Sequence, residues 1–409
     1  MDKNQKIASA KEIHQHINAH ISAIWPGLVA VPFILYDEKS QVATDAKWCE
    51  RYTQEQDDIW VAEGFDPQLM GNTSTIYQGI RVAIWDTRTW PEDITPSNAA
   101  SHITHEMFHT FQQAHMQPLW PNELLLPQYP HSAQSLALVI EENKWLAQIL
   151  ENPDASSIRK CLKNIAGLRQ RREAELEAEF FEYDKRCESV EGTAAYVEIH
   201  MKATLEETTA FEAAMSYLPI FQSNDNLLSN YRYRCYTAGL VLCLAADILL
   251  PDWQIEWSKS SRSIYDFITD KLHLHESFTN TSDSSLKAAG DLITAYQREN
   301  EKKINDFAAH PLTSFEGAVQ ITAFDPMNLI CSDGRCLHSH GKLQFGKSEL
   351  LITTPFLAEY GATILDVKRV LFPNLKIHYH GSRIIIEGLG EINGRAEQIP
   401  SGVRCIVEE

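Results

Sequence analysis

The chain has 409 residues, 44% of them hydrophobic and 22% charged. At about 150 residues per domain, that length predicts two or three domains, and the composition excludes a chain too polar to bury a core. Acidic residues outnumber basic ones 55 to 36, for a net charge of −19, which argues against nucleic acid or an anionic membrane surface as a partner.

The N-terminal stretch MDKNQKIASAKEIHQHINAH lacks an apolar h-region, so no secretory signal is expected. The longest apolar run, 238–250, is interrupted by Asp247. It is too short to span a bilayer and predicts a buried helix. Eight cysteines are scattered without a CxxC motif, which predicts reduced thiols and a cytoplasmic location.

In chain order, Ile7, Ile13, Ile17, Ile21 and Ile24 recur at helical spacing and predict an amphipathic helix over 5–25, ended by Trp25-Pro26. Residues 31–36, rich in β-branched and aromatic side chains, predict a strand. A Gly/Asn/Ser stretch at 71–74 precedes a second strand over 75–85. Pro91 and Pro96 mark a loop, with Ser97 or Asn98 as the expected helix cap.

From about 99 to 305 the pattern is mostly helical. Segment 134–150 is apolar at helical spacing, and 156–186 predicts one long charged helix with a wide solvated face. Helical character continues through 187–206, 232–250 and 285–307. Near His310-Pro311 the texture changes to short β-like runs at 318–324, 343–345, 350–352, 377–379, 384–386 and 405–407. Asp333-Gly334, Asn393-Gly394 and Pro400-Ser401-Gly402 supply turn signals between them.

The expected class is α+β. A mainly helical catalytic domain over 1–309, with an N-terminal α/β part to about 98, precedes a β-rich domain over 310–409. The role of that last domain is open between substrate binding, covering a cleft and self-association.

The strongest chemical signal is His105-Glu106-Met107-Phe108-His109, an HExxH. Four residues of helix turn through about 400°, so the two imidazoles share one face about 40° apart, one turn from each other. Two neutral nitrogens can then reach one Zn²⁺, and Glu106 projects beside the metal, where it can take a proton from bound water.

A catalytic zinc takes three protein ligands and leaves one position for water. Two residues compete for the third place. His115 completes the metzincin spacing HExxHxxGxxH, except that Gln112 stands where the helix-breaking glycine belongs. If the helix runs on, His115 lies about 240° around and about 9 Å beyond His109, out of reach of the same ion. Glu191, in Val190-Glu191-Gly192-Thr193-Ala194-Ala195, sits beside small residues that would let its helix approach the histidine helix closely. Glu198, seven residues on, faces the same way and is expected to support the site or stand in solvent.

HEMFH followed by EGTA resembles the gluzincin branch of the zincin metallopeptidases. The resemblance spans about 75–250. It implies a zincin-like fold and a catalytic Zn²⁺ held by His105, His109 and Glu191, with Glu106 as general base in peptide hydrolysis by a zinc-bound water. It also implies that strand 75–85 pairs with an extended peptide or protein substrate. The GxMEN motif of the large aminopeptidases is absent.

Hydrolysis needs a donor for the oxyanion. Tyr236 opens a buried helix, with Gly239 one turn later able to admit a close neighbour, and is the first candidate; Arg234 and Tyr196 are rivals. Cys331, Cys336, His338 and His340 cluster about a hairpin turn, and the His338/His340 pair is echoed by His378/His380. Residues two apart share a strand face, so each pair could present two imidazoles. Their spacing matches no zinc ribbon, and exposed strand faces are the expectation.

Two other functions fit the same residues: a binding protein that keeps a peptidase-like shell, and a zinc hydrolase of a non-peptide amide or ester. An intact Glu106 argues against the first, since a mere scaffold has no use for that carboxylate.

Overall fold

The computed structural model describes residues 1–409 except 38, 65, 67, 70, 117–118, 226, 275–280, 308–312, 323–328, 333–334, 339–348, 351–362, 367–368, 381–382, 388–389, 400–401 and 408–409. Side chains are described for most of 1–299 and for 375–379, 383–387, 394–398 and 403–406. The class is α+β. The chain groups into two compact units, Met1–Pro121 with Leu138–Thr281, and Asn122–Ala137 with Ser282–Glu409. No described helix is long and apolar enough to cross a membrane.

The first unit opens with α1 (Lys3–Ile24), capped by Asp2 and Gln5 in a reciprocal box. Its isoleucine stripe is buried as the spacing requires, and Trp25 adopts an extended backbone that ends the helix. Six strands follow: β1 (Phe33–Tyr36), β2 (Ser40–Thr44), β3 (Thr53–Gln56), β4 (Ile59–Glu63), β5 (Thr73–Tyr77) and β6 (Ile80–Asp86). They form one sheet in the order β3-β4-β2-β1-β6-β5, antiparallel except for the parallel pair β1–β6.

The single strand expected over 75–85 is instead the β5–β6 hairpin. Tyr77 pairs with Ile80, and the two turn residues Gln78 and Gly79 have φ of 50° and 84°. Two positive φ values in a two-residue loop match the twist of the flanking strands, and glycine carries the second at no steric cost. β5 is therefore the edge strand, and β6 is paired on both sides.

Helix α2 (Pro96–His115) carries the HExxH. Its cap is Thr95, whose side chain accepts from the amide of Asn98. The cap is neither Ser97 nor Asn98, because Pro96, with no amide hydrogen to lose, takes the first helical position. Next come α3 (Ala133–Glu151), α4 (Ala155–Glu175) and α5 (Ala178–Leu205). The long helix expected over 156–186 is broken at Leu176 and Glu177, both extended. Glu177 makes no side-chain cap, and neither proline nor glycine marks the break.

The stretch does present a solvated face, with Arg159, Lys160, Lys163, Glu173, Glu175, Glu177 and Glu179 exposed, but Arg169, Arg172 and Asp184 are buried in an ionic network. Arg169 reaches Glu142 at 2.7 Å and Glu188 at 2.6 Å; Arg234 reaches Glu142 at 2.5 Å and Asn143 at 2.9 Å; Arg172 pairs with Asp184. All six charged groups are buried, three guanidiniums against three carboxylates. Burial opposes the Glu142 charge, but Arg169, Arg234 and Arg172 outweigh it and hold the carboxyl below its ordinary range. Burial of such groups is tolerable only when they are paired this completely.

The short helices α6 (Ala210–Ala214) and α7 (Leu218–Gln222) lead into α8 (Tyr231–Leu249), followed by α9 (Trp253–Trp257) and α10 (Ile264–Lys271). α5 and α8 cross at Gly192 and Gly239, where a Cβ on either residue would overlap the backbone of the other helix. The glycine of the EGTA segment thus serves the approach to α8, not to the histidine helix. Trp25 packs edge-on against Phe108, Tyr196, Trp253 and Trp257, joining α1, α2, α5 and α9 in one core.

Among its described residues the second unit has α11 (Asp283–Phe307) and the strands β7 (Thr313–Thr322), β8 (Leu329–Ser332), β9 (Arg335–His338), β10 (Glu349–Leu350), β11 (Thr363–Asp366), β12 (Arg369–His380), β13 (Arg383–Ile386), β14 (Gly390–Ile399) and β15 (Gly402–Val407). The path β14-β13-β12-β7-β15 returns to β14, so the pairings close a ring. Asn393-Gly394, expected as a turn, lies inside β14. Cys331 and Cys336 are register partners across β8 and β9. His338 ends β9, His380 ends β12, and His378 lies 2.7 Å from Glu387. His340 and the run expected at 343–345 lie outside the described residues.

Candidate metal centre

The centre is built by three helices of the first unit. α2 runs unbroken through His115, whose exposed ring tilts against Phe111 at 4.6 Å. His115 therefore cannot join His105 and His109, which settles that competition by the helical rise alone. The partner that does arrive is Glu191 of α5. Its Oε2 lies 3.3 Å from Nε2 of His109 and 3.6 Å from Nε2 of His105. Two ligand atoms about 2.0–2.2 Å from a tetrahedral zinc stand about 3.3–3.6 Å apart. The two distances from Glu191 Oε2 have that spacing, and all three ligand atoms lie within 4.8 Å of one another.

Glu191 Oε2 is buried with no hydrogen-bond partner, and Oε1 accepts from Arg232 of α8 at 2.7 Å. An orphaned carboxylate oxygen aimed at two imidazole nitrogens fits a cation-binding role. Burial works against the Glu191 charge, yet Arg232 and the imidazoles hold its carboxyl well below the usual range.

Both imidazoles are oriented from behind. Nδ1 of His105 lies 2.9 Å from Glu198 Oε2, and a carboxylate only accepts, so Nδ1 carries the proton and Nε2 is left for a metal. Nδ1 of His109 lies 2.6 Å from Gln112 Oε1. Gln112 cannot be flipped, because its Nε2 donates to the Val190 carbonyl at 2.6 Å and to Thr193 at 2.8 Å. Fully buried, it ties α2 to α5 beside the ligands. Burial lowers the His105 pKa, but the facing carboxylates of Glu191 and Glu198 outweigh this and push it up to about 10.

Glu106 is buried, and no group among the described residues hydrogen-bonds its carboxylate. Burial pushes its pKa up, with Glu191 and Glu198 adding to the rise against the two imidazoles. Glu106, Glu191 and Glu198 thus crowd three carboxylates about the two imidazoles, and of the three Glu191 pairs with a guanidinium, that of Arg232.

Tyr236 lies over His105, with ring centroids 6.1 Å apart and planes 12° from parallel. Its hydroxyl accepts from Arg232, and burial, with the Glu191 charge, pushes its pKa well above the ordinary value. The rivals are elsewhere: Arg234 is consumed by Glu142, Glu188 and Asn143, and Tyr196 donates to Asp247 at 2.9 Å in the aromatic core.

Compared with protein-family models, curated proteins and solved structures, the chain matches none. The centre therefore rests on its own geometry. Among the described residues one other group could hold a cation, His14 with Asp45 and Asp58, but Nε2 of His14 is already taken by Asn18 at 3.0 Å. Sequence reasoning missed Arg232 and the use of Gln112. Each carried a signal: Gln112 follows His109 by three residues and Arg232 precedes Tyr236 by four, the spacings at which helical side chains meet.

Proposed function

We propose that the chain is a zinc-dependent peptidase. The observation that carries this reading is the convergence of Nε2 of His105, Nε2 of His109 and the orphaned Oε2 of Glu191, with the buried carboxylate of Glu106, unbonded among the described residues, next in sequence to His105. His105, His109 and Glu191 would hold the ion. Bound there, zinc would supply Lewis acidity toward a water and a carbonyl oxygen.

The chain's own groups account for the rest. Glu106 would take the proton of the attacking water and hand it to the leaving amine; its raised pKa brings it closer to the operating range of a general base. Tyr236, kept protonated by burial, would donate to the developing oxyanion. Glu198 and Gln112 would hold the imidazoles in the required tautomer. β5, paired only with β6 among the described residues and tied to α2 by Gln113 to Ser74 at 3.0 Å, offers an edge to an extended peptide.

The test is metal content and cleavage of a peptide library by the full chain. We expect one zinc per chain, lost in His105→Ala and Glu191→Ala but kept in His115→Ala. Glu106→Gln should keep the zinc and lose about 10²–10⁴-fold in turnover, the usual worth of a positioned base. Cleavage at the parental rate by that variant would refute the mechanism. Zinc binding with no peptide cleavage by the parent, but with hydrolysis of simple esters or amides, would move the reading to a non-peptide hydrolase.

A further inference from the structure

We infer that Arg232 is a positioning residue that locks the ligand Glu191 to the donor Tyr236. It holds Glu191 to a single oxygen at the ion and leaves the Tyr236 proton for the substrate. The claim on Glu191 rests on the metal-binding reading of the centre, and the claim on Tyr236 on the peptidase reading.

The two oxygens of Glu191 face different partners. Oε2 lies 3.3 and 3.6 Å from the two imidazole nitrogens, whereas Oε1 accepts from Nη2 of Arg232 at 2.7 Å. A carboxylate can ligate a divalent ion with one oxygen or with both. With both, the ion would carry four protein atoms, and the place kept for water would be filled. The hydrogen bond on Oε1 opposes that. Moving Oε1 to the ion would strand the guanidinium, in a pair whose side chains are 20% and 6% exposed.

The same guanidinium donates through Nη1 to the Tyr236 hydroxyl. A phenol oxygen that accepts there keeps its own proton for another acceptor. Arg232 and Tyr236 are four residues apart on α8 and share a face, and the guanidinium carbon stands 4.9 Å from the ring centroid. That face is turned to the centre, with Tyr236 over His105 and Arg232 against Glu191. Two nitrogens in one rigid plane thus fix the ligand and the hydroxyl relative to each other, a geometry that lysine does not offer.

The probe is Co²⁺ in place of zinc, because four-coordinate Co²⁺ absorbs visible light more strongly than five- or six-coordinate Co²⁺. The parental chain loaded with cobalt should show the strong bands of a four-coordinate ion. Arg232→Met should still take up one ion per chain, with weaker bands as Oε1 joins it. Arg232→Ala, well suited to a helix, should behave alike and serves where the longer side chain impairs folding. Arg232→Lys should restore the bands, since its ammonium can still donate to Oε1. In peptide cleavage by the zinc-loaded chains, Arg232→Met should lower kcat about 10–100-fold with KM little changed. Added to Tyr236→Phe it should cost clearly less, because both changes remove the same donor. Weak bands in the parental chain, unchanged bands in Arg232→Met and Arg232→Ala, or full additivity with Tyr236→Phe overturns the inference. If the bands respond as expected while no chain cleaves peptide, Arg232 keeps its role at the ligand and the peptidase reading falls.

Discussion

Two hydrogen bonds decide which nitrogen of each imidazole faces the centre, and a third group decides what protonation costs there. Glu198 and Gln112 leave both Nε2 atoms directed at Glu191. In the metal-free chain the same carboxylates hold His105 protonated, up to about 10 from its ordinary 6.5. A raised folded-state pKa contributes stability that is fully present below 6.5 and is lost as pH rises through about 10. Zinc takes the neutral ring, so binding at pH 7 must expel a proton, and apparent affinity must climb with pH up to about 10. Calorimetric titration with zinc at pH 7 in two buffers of different ionisation enthalpy should report about one proton released per ion. Buffer-independent heats would mean that His105 is not the ligand that titrates. The HExxH was plain in the sequence because its spacing is local. Gln112 showed only a missing glycine and its spacing from His109, since its other partners Val190 and Thr193 lie on another helix.

At the scale of elements, the centre depends on two helix pairs that meet for different reasons. α2 and α5 are joined by polar contacts around Gln112 and Glu198, whereas α5 and α8 are joined by the absence of side chains at Gly192 and Gly239. That second crossing sets Arg232 against Glu191. Gly192→Ala would drive a methyl into the backbone at Gly239, where nothing flexible can yield. The cost should exceed the about 1–3 kcal/mol of ordinary overpacking, and α5 should shift relative to α8. Urea unfolding should show the lost stability. Zinc affinity should fall with it, since Glu191 leaves its guanidinium; full affinity in a destabilised Gly192→Ala chain would show that the crossing does not position the ligand. The pairing of Gly192 with Gly239 joins residues far apart in sequence and could not be read from either one. The α4–α5 break and the burial of Arg169 and Arg172 were missed for a related reason: charged residues at helical spacing look solvated until another helix supplies their partners.

For the whole molecule, the shift from helical to β texture near 310 was legible because it is compositional, and the β strands begin at Thr313. What composition could not show is that Asn122–Ala137 groups with Ser282–Glu409, where His131 meets the ring of Tyr296 at 5.5 Å. Every group of the candidate centre, by contrast, lies within Met1–Pro121 and Leu138–Thr281. A chain ended after Thr281 should therefore keep one zinc at near-parental affinity while leaving 122–137 without its companions. Tyr129, buried in the full chain, would then meet water, and the truncated protein should bind a hydrophobic dye and associate. Replacing 122–137 in that truncated chain by a Gly/Ser linker of equal length should remove the dye binding without changing the zinc stoichiometry. Loss of zinc on truncation alone, with the helical circular dichroism of the first unit retained, would mean that the second unit supplies support which the centre's own three helices do not.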